Sequence, residues 1–460
     1  MKVRRLSDVA AATGGKLVGP DAEFLRVSSD TRKLMARDLF VALRGPNFNG
    51  HDYVMLAEKL GACGALVEHP ILSHLPQVVV QDARRALGAY AAHWRAQFSI
   101  PVIGVTGTNG KTTVKEMIAS ILRRRRIALA TRGNMNNDIG VPMTLLELDE
   151  KHRAVVIEMG TNHPGEIAYL ASVTSANVGV VTNAGAGHLE ALGSIQGVAM
   201  EKGALYSGLR VNGIAIINID DAYASMWREM AGRRIQRSFG LSELADFHPQ
   251  PDSVKQLSTG MWAFRLVSPA GEASIQLSLP GRHNIINALA AAATASSAGA
   301  SLDDVMSGLA NTPIIGGRLI VFPGVRGCRL IDDSYNANPQ SLKTAMEFAI
   351  SLGDPVWLAL GDMAELGESS TTLHADCGEL ARMLGVARLF SFGSLSLHAT
   401  EHFGASAEHF VNLEAMVAAL RSSLRPGITL LIKGSHSMHM ERVVESLRAP
   451  QVVDKTPGVG

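Results

Sequence analysis

The stretch IPVIGVTGTNGKTTVKEMIASIL, residues 100–122, decides the fold. An apolar, β-branched run over residues 100–106 predicts a strand, and Val114, Met117, Ile118, Ile121 and Leu122 then recur at helical spacing. Between them lie Gly107, Thr108, Asn109, Gly110, Lys111, Thr112 and Thr113. Strand, glycine-rich turn and helix together form the setting of a phosphate-binding loop, because glycines let backbone N–H groups surround phosphates at a helix N-terminus. Lys111 supplies a point charge to the β and γ oxygens, and Thr112 offers its hydroxyl to Mg²⁺. The strict eight-residue pattern needs glycine where Val105 stands, so the loop is a variant. The bland alternative is a glycine-rich turn with an incidental lysine.

Outward from the loop, short apolar runs at residues 154–157, 178–182 and 214–218 are strand candidates, spaced widely enough for crossover helices. The expectation is α/β with three domains. Residues 1–84 form a small N-terminal α/β domain. Residues 85–312 form a central, doubly wound parallel-sheet ATPase domain carrying the P-loop. Residues 313–460 form a Rossmann-like domain with strands at 329–333, 356–360, 389–392 and 429–432, reached through a Pro/Gly-containing stretch at 312–318. Residues 450–460 have no periodicity and are expected to fray.

Composition narrows the function classes. Apolar residues make up 47% of the 460 and charged residues 18%, which fits a well-packed globular protein. A formal charge of +1 provides no global attraction to nucleic acid or an anionic membrane, so an anionic ligand must be held by local groups. The basic run Arg123 to Arg126 closes a predicted helix, where cations complement the dipole and stay solvated. Cys63, Cys328 and Cys377 are odd in number and lack metal-ligand spacing, which fits a reducing cytoplasm. Neither a signal peptide nor a membrane span is expected.

Glu158 follows the strand at 154–157 and would emerge at the carboxyl edge beside the phosphate loop, as a second magnesium ligand or as a capped, salt-bridged glutamate. His188, after Gly185-Ala186-Gly187, would reach the same edge as a metal ligand or a structural loop histidine. Lys202 alone reads as a solvated helix lysine.

Several segments together resemble the Mur ligases. They are the Gly-Thr-Asn-Gly-Lys-Thr-Thr loop, Gly133-Asn134-Met135-Asn136-Asn137, Asp332-Asp333-Ser334-Tyr335-Asn336-Ala337-Asn338-Pro339, Gly361-Asp362-Met363-Ala364-Glu365-Leu366-Gly367 and Lys433-Gly434-Ser435. The C-terminal segments narrow the resemblance to the branch that adds D-alanyl-D-alanine to a UDP-linked muramoyl tripeptide.

The resemblance implies an ATP-dependent, ADP-forming amide ligase acting through an acyl phosphate. Its implied partners are two small molecules, UDP-muramoyl tripeptide and D-alanyl-D-alanine, and a monomer is expected. It implies that Ser29, Thr31 and Arg32 face the uridine nucleotide and that Asn134, Asn136 and Asn137 bind substrate. His283, Asn284 and Arg318 would contact ATP, Asp333 would hold the ribose, and Asn338 and Glu365 would serve the dipeptide pocket, a loop cap being the alternative for those last two. Lys111, Arg318 and Lys202 would be catalytic. Thr112, Glu158, His188 and a carbamylated Lys202 would hold two Mg²⁺ ions, since adding CO₂ turns an ammonium into an anionic oxygen ligand. Gly316-Gly317 would be a hinge for closure.

A sister ligase adding a diamino acid, or a folylpolyglutamate synthase, is the near alternative. Lys111-Thr112-Thr113 and the lack of an Asp-Asn-Pro-Arg segment speak against both. A P-loop regulatory NTPase or kinase is the alternative from another class, and it has little use for the N-terminal domain or for residues 333–339.

Overall fold

The computed structural model describes residues 2–257 and 260–449, so the tail from residue 450 lies outside the described residues. Three sheets carry the chain in sequence order. The first has five strands, ordered Lys16–Val18, Gln77–Val79, Gly64–Val67, Asp38–Val41 and Arg26–Ser28. All its pairings are parallel except that of the edge strand Lys16–Val18.

The central six-stranded sheet is parallel throughout. Its order is Ala128–Ala130, Ala154–Glu158, Val102–Thr106, Val178–Val181, Ile214–Asn218 and Ile235–Phe239. Val102–Thr106 therefore sits where the strand order reverses, and in a doubly wound sheet the ligand crevice opens outside the carboxyl ends of the strands at that point. The strands at 154, 178 and 214 begin at the expected residues. Ala128–Ala130 and Ile235–Phe239 are additional, one too short and the other too exposed to carry a buried-strand pattern. A small antiparallel sheet, outside the sequence-based expectation, is built on the hairpin Trp262–Ser268 and Gly271–Gln276.

The third sheet has five parallel strands, ordered Arg329–Asp333, Thr429–Lys433, Val356–Gly361, Arg388–Phe392 and Ala407–Phe410, with Ile320–Pro323 antiparallel on its edge. Its carboxyl ends carry Asp333 and Lys433.

The structure adds detail to two expectations. The boundary placed after residue 84 falls inside the helix Ala83–Ala96, whose N-cap Asp82 accepts hydrogen bonds from the N–H groups of Arg84 and Arg85. This helix packs its buried Leu87, Tyr90 and Trp94 into a core shared by the first two sheets, so it is a joint rather than a linker. The arginine run is also put to work. Arg126 donates to the carbonyls of Ala298 (2.9 Å) and Gly299 (2.8 Å), which end the Ala-rich helix Asn284–Ser297, and Arg125 pairs with Asp304 at 2.8 Å. Cations at a helix C-terminus complete its free carbonyls and oppose its dipole. Among the described residues no helix is long and apolar enough to cross a membrane.

Candidate active site

At the switch point the chain turns through Gly107 (φ +143°), where an added Cβ would stand 1.9 Å from Thr182 Oγ1. Only glycine fits that close approach. The helix Lys111–Leu122 then starts from Gly110 with no side-chain cap, so its first-turn N–H groups face the crevice. Asn183, not anticipated from the sequence, braces the loop: Thr108 N donates to its carbonyl oxygen (3.0 Å), Asn109 N to its Oδ1 (2.9 Å), and its Nδ2 donates to Asn109 O (3.1 Å). The N–H groups of Thr108 and Asn109 are thereby committed, and the helix start at Gly110 to Thr113 is the part able to receive an anion.

Lys111 Nζ folds back on the loop, donating to the carbonyls of Gly107 (2.8 Å) and Thr108 (3.0 Å). Burial pushes its pKa down to about 8, with Glu158 opposing and nearby Arg318 adding to the fall. Thr112 Oγ1 donates to Glu158 Oε1 (3.3 Å) and accepts from Arg318 Nη2 (3.1 Å). Asn136 Nδ2 donates to the same Glu158 oxygen (2.9 Å), while Glu158 Oε2 is buried without a partner. A buried carboxylate oxygen in that state is costly and suits a cation ligand.

Lys202 is not the solvated lysine that its sequence context suggests. It lies on the helix Ile195–Ser207, is 0% exposed, and its Nζ has no hydrogen-bond partner among the described residues. Desolvation, then Lys111, pushes its pKa well down. The adjacent Glu201 is committed elsewhere: it accepts from the N–H groups of Gly165 (2.8 Å) and Ile167 (2.8 Å), capping the helix Glu166–Thr174.

His188 and Glu365 meet across the junction between the central and third sheets at 2.5 Å, and both have left-handed backbone, φ +58° and +63°. Glu365 O also accepts from Glu190 N (3.2 Å). Paired strain of this kind is retained where surrounding contacts over-determine it, as they do at functional junctions. His188 holds the Glu365 carboxyl below the usual carboxylate range. Among the described residues no three His, Cys, Asp or Glu side chains converge on one point. Any metal here would therefore depend on groups of other kinds, such as Thr112 or a modified Lys202.

Asn338 makes a second junction. Its Oδ1 caps the helix Pro339–Ile350 by accepting from Ser341 N (2.9 Å), while its Nδ2 donates to Asn109 Oδ1 in the phosphate loop (2.8 Å). The loop-cap alternative thus describes its contacts in this structure. Asp333 pairs with Lys433 at 2.5 Å, and Lys433 also donates to Asn336 O (2.8 Å). Burial pushes the Asp333 carboxyl up and Lys433 opposes it. His283 is held neutral by burial, its pKa pushed down to about 4, with Nδ1 unpartnered. Asn284 is tied to Pro280 O (2.6 Å) and to Asn287 Nδ2 (2.8 Å).

A cavity of about 560 Å³ opens among many of these groups. Thr108 to Lys111 and Thr113 line it on one side, with Glu158, His188, His283 and Asn284 beside them. Asn136 and Asn137 lie at one end, and Arg318, Asp333 and Asn338 close it from the third sheet. Gly107, Thr112, Lys202, Glu365, Asn134, Ser29, Thr31 and Arg32 are not among its lining residues. Arg32 pairs with Asp30 at 2.9 Å, with its side chain 88% exposed.

Residues 105–295 match the Mur ligase middle domain, and residues 317–436 match the family described as Mur ligase, glutamate ligase domain. The chain is 42% identical over 446 residues to the UDP-N-acetylmuramoyl-tripeptide–D-alanyl-D-alanine ligase of Escherichia coli K12, covering 96% of this chain and 98% of that protein. The solved UDP-N-acetylmuramoylalanyl-D-glutamyl-2,6-diaminopimelate–D-alanyl-D-alanyl ligase of Acinetobacter baumannii superposes with a TM-score of 0.86 at 32% identity, covering 97% and 98%. The MurF ligase of Thermotoga maritima, solved with ADP, gives 0.81 at 25% identity, covering 92% and 96%.

Proposed function

The chain belongs to the Mur ligase family, and on that premise we propose that it joins D-alanyl-D-alanine to UDP-N-acetylmuramoyl-tripeptide at the expense of ATP, a step of peptidoglycan precursor synthesis. The observation that carries this is the cavity whose two walls, the phosphate loop and the third sheet, are stitched together by Arg318–Thr112 and Asn109–Asn338. A ligase must bring a nucleotide and two further substrates together away from water, and such an enclosure provides for it. We further propose 2,6-diaminopimelate as the third residue of the acceptor, as named for the Acinetobacter baumannii enzyme. The compartment is taken to be the cytoplasm, where ATP is available and where Cys63, Cys328 and Cys377 stay free.

In the proposed reaction the tripeptide carboxylate attacks the γ-phosphorus of ATP. A C–O–P bond forms, the β,γ bridging P–O bond breaks, and ADP leaves. The dipeptide amine then attacks the activated carbonyl and loses a proton, the C–N bond forms, and inorganic phosphate leaves. Carboxylate and triphosphate repel each other, so the first step depends on the cations Lys111 and Arg318 and on the uncapped helix start at Gly110. Glu158, Thr112 and a carbamylated Lys202 would hold Mg²⁺, which would supply further charge neutralisation. The unpartnered Glu158 Oε2 and Lys202 Nζ fit that arrangement. Asp333 and His283 are assigned to the nucleoside, Asn136 and Asn137 to the UDP-sugar substrate.

The deciding experiment is phosphate release from ATP with each substrate omitted in turn, with the mass of the product recorded. Release that requires both the UDP-muramoyl tripeptide and the dipeptide, with a pentapeptide product, is expected. Release indifferent to the dipeptide would sink the reading. Titration gives a second check. The free enzyme loses the Lys111 charge above pH about 8, and the triphosphate needs that charge. The apparent KM for ATP should therefore rise by roughly tenfold per pH unit above that point, with proton uptake on ATP binding measurable by calorimetry in two buffers. A flat KM to pH 9.5, with no proton uptake, would mean that ATP binding does not draw on a Lys111 that loses its charge near pH 8.

A further inference from the structure

Arg318 is held unusually. One guanidinium donor goes to Thr112 Oγ1, its Nε is buried without an acceptor, and among the described residues no carboxylate pairs with it. Beneath its face lies the ring of Tyr335, with the guanidinium carbon 4.5 Å from the ring centroid. Tyr335 is itself fixed from two sides. His436, beyond the strand Thr429–Lys433, meets its ring edge-on, with centroids 5.8 Å apart and planes at 67°. The Tyr335 backbone N–H donates to Gly317 O (3.2 Å), and a Cβ on Gly317 (φ +69°) would stand only 3.0 Å from that of Tyr335. Gly317 and Leu319 (φ +54°) flank Arg318 with left-handed backbone, so the arginine leaves the chain from a bend folded against Tyr335.

We infer that Tyr335 is a positioning residue for phosphoryl transfer. Its π-face holds the Arg318 guanidinium against the phosphate loop without using the donors that an anionic oxygen needs. A carboxylate in the same place would also orient the arginine, but it would occupy the fork and neutralise its charge. An aromatic face attracts the cation through its quadrupole and leaves Nε and the remaining Nη hydrogens available. The His436 contact extends this support to the loop after Lys433, so the arginine is correctly aimed only when that loop and the phosphate loop are both in place.

The inference rests on the ligase reading for its kinetic consequence, and its structural part can be read without turnover. In the full-length protein labelled with nitrogen-15 arginine, the Arg318 Nε–H resonance is identified by its loss in Arg318→Lys. The expected result is a sharp, shifted signal in the wild type and in Tyr335→Phe, which keeps the aromatic face, and collapse toward the free-arginine position in Tyr335→Leu. In turnover, Tyr335→Leu should lower kcat by roughly 3- to 30-fold, with Tyr335→Phe restoring most of it and KM for ATP moving much less. In an Arg318→Lys background the same Leu substitution should cost little more. An unchanged Arg318 signal in Tyr335→Leu overturns the inference even if no ligase activity is found. So does a rise in KM for ATP at unchanged kcat, or full additivity with Arg318→Lys. A wild type that makes no pentapeptide overturns the ligase reading and leaves the resonance test standing.

Discussion

Lys111→Met should reduce dipeptide-dependent phosphate release by roughly a thousandfold, with little or no loss of folding stability. Both halves of that expectation follow from the same environment. Nζ sits beside Arg318 and is satisfied only by two loop carbonyls, Gly107 O and Thr108 O, so its charge is poorly supported in the free protein, as the fall of its pKa to about 8 expresses. A γ-phosphate would replace those carbonyls with anionic oxygens. The ammonium is then paired just as the transferring group gathers charge, which is where an electrostatic interaction gains most. Removing it costs the reaction far more than the fold. The check is single-turnover formation of ADP together with a denaturation curve. A variant within tenfold of the wild type would mean that Arg318 and the helix N-terminus alone carry the first step.

Lys202→Met should produce the opposite pairing of effects, a roughly hundredfold or greater loss of activity and a gain in stability of about 1–3 kcal/mol. A fully buried amine with no hydrogen-bond partner destabilises the fold unless it is modified or occupied, and methionine fills a similar volume without that penalty. The pH dependence provides a sign check. Lys202 binds its proton less tightly folded than unfolded, so below the ordinary lysine value of 10.5 the unfolded chain takes up the extra proton and the wild type carries a penalty. As pH rises toward that value, the penalty fades and the advantage of Lys202→Met should shrink. Carbamylation would remove the same penalty, because it requires the neutral amine and converts it to a ligand for a cation. Wild-type protein stripped of carbon dioxide should therefore lose activity and recover it with bicarbonate, with a carbamate carbon visible by carbon-13 labelling. Activity in Lys202→Met equal to wild type would leave the lysine without a catalytic role.

The two lysines differ in how far the sequence reveals them. Lys111 is legible without any structure, because strand, glycines and an amphipathic helix converge on it and each is a local signal. Lys202 carries no such signal: the helix Ile195–Ser207 buries Glu201 and Lys202 together, and periodicity alone describes a solvated position. Asn183, Tyr335 and Lys433 act on the site from other strands and other sheets. Tyr335 and Lys433 stand in segments that carry the family resemblance, but no local pattern assigns them these contacts, and Asn183 carries no signal at all. Ser29, Thr31 and Arg32 were assigned to the nucleotide by likeness alone, and in this structure they form a polar turn apart from the cavity lining.

By itself the sequence determined the three-sheet α/β plan, the start of the central and C-terminal parallel strands named from it to within two residues, and the phosphate loop. These depend on the alternation and spacing of residues close in the chain, where side-chain period and backbone conformation are directly coupled. Tertiary structure alone decided which distant groups meet. Asn109 with Asn338, His188 with Glu365, and Arg318 with Thr112 are pairings between segments far apart in sequence. Their geometry is set by how the sheets close on one another, a property of packing that no local pattern encodes.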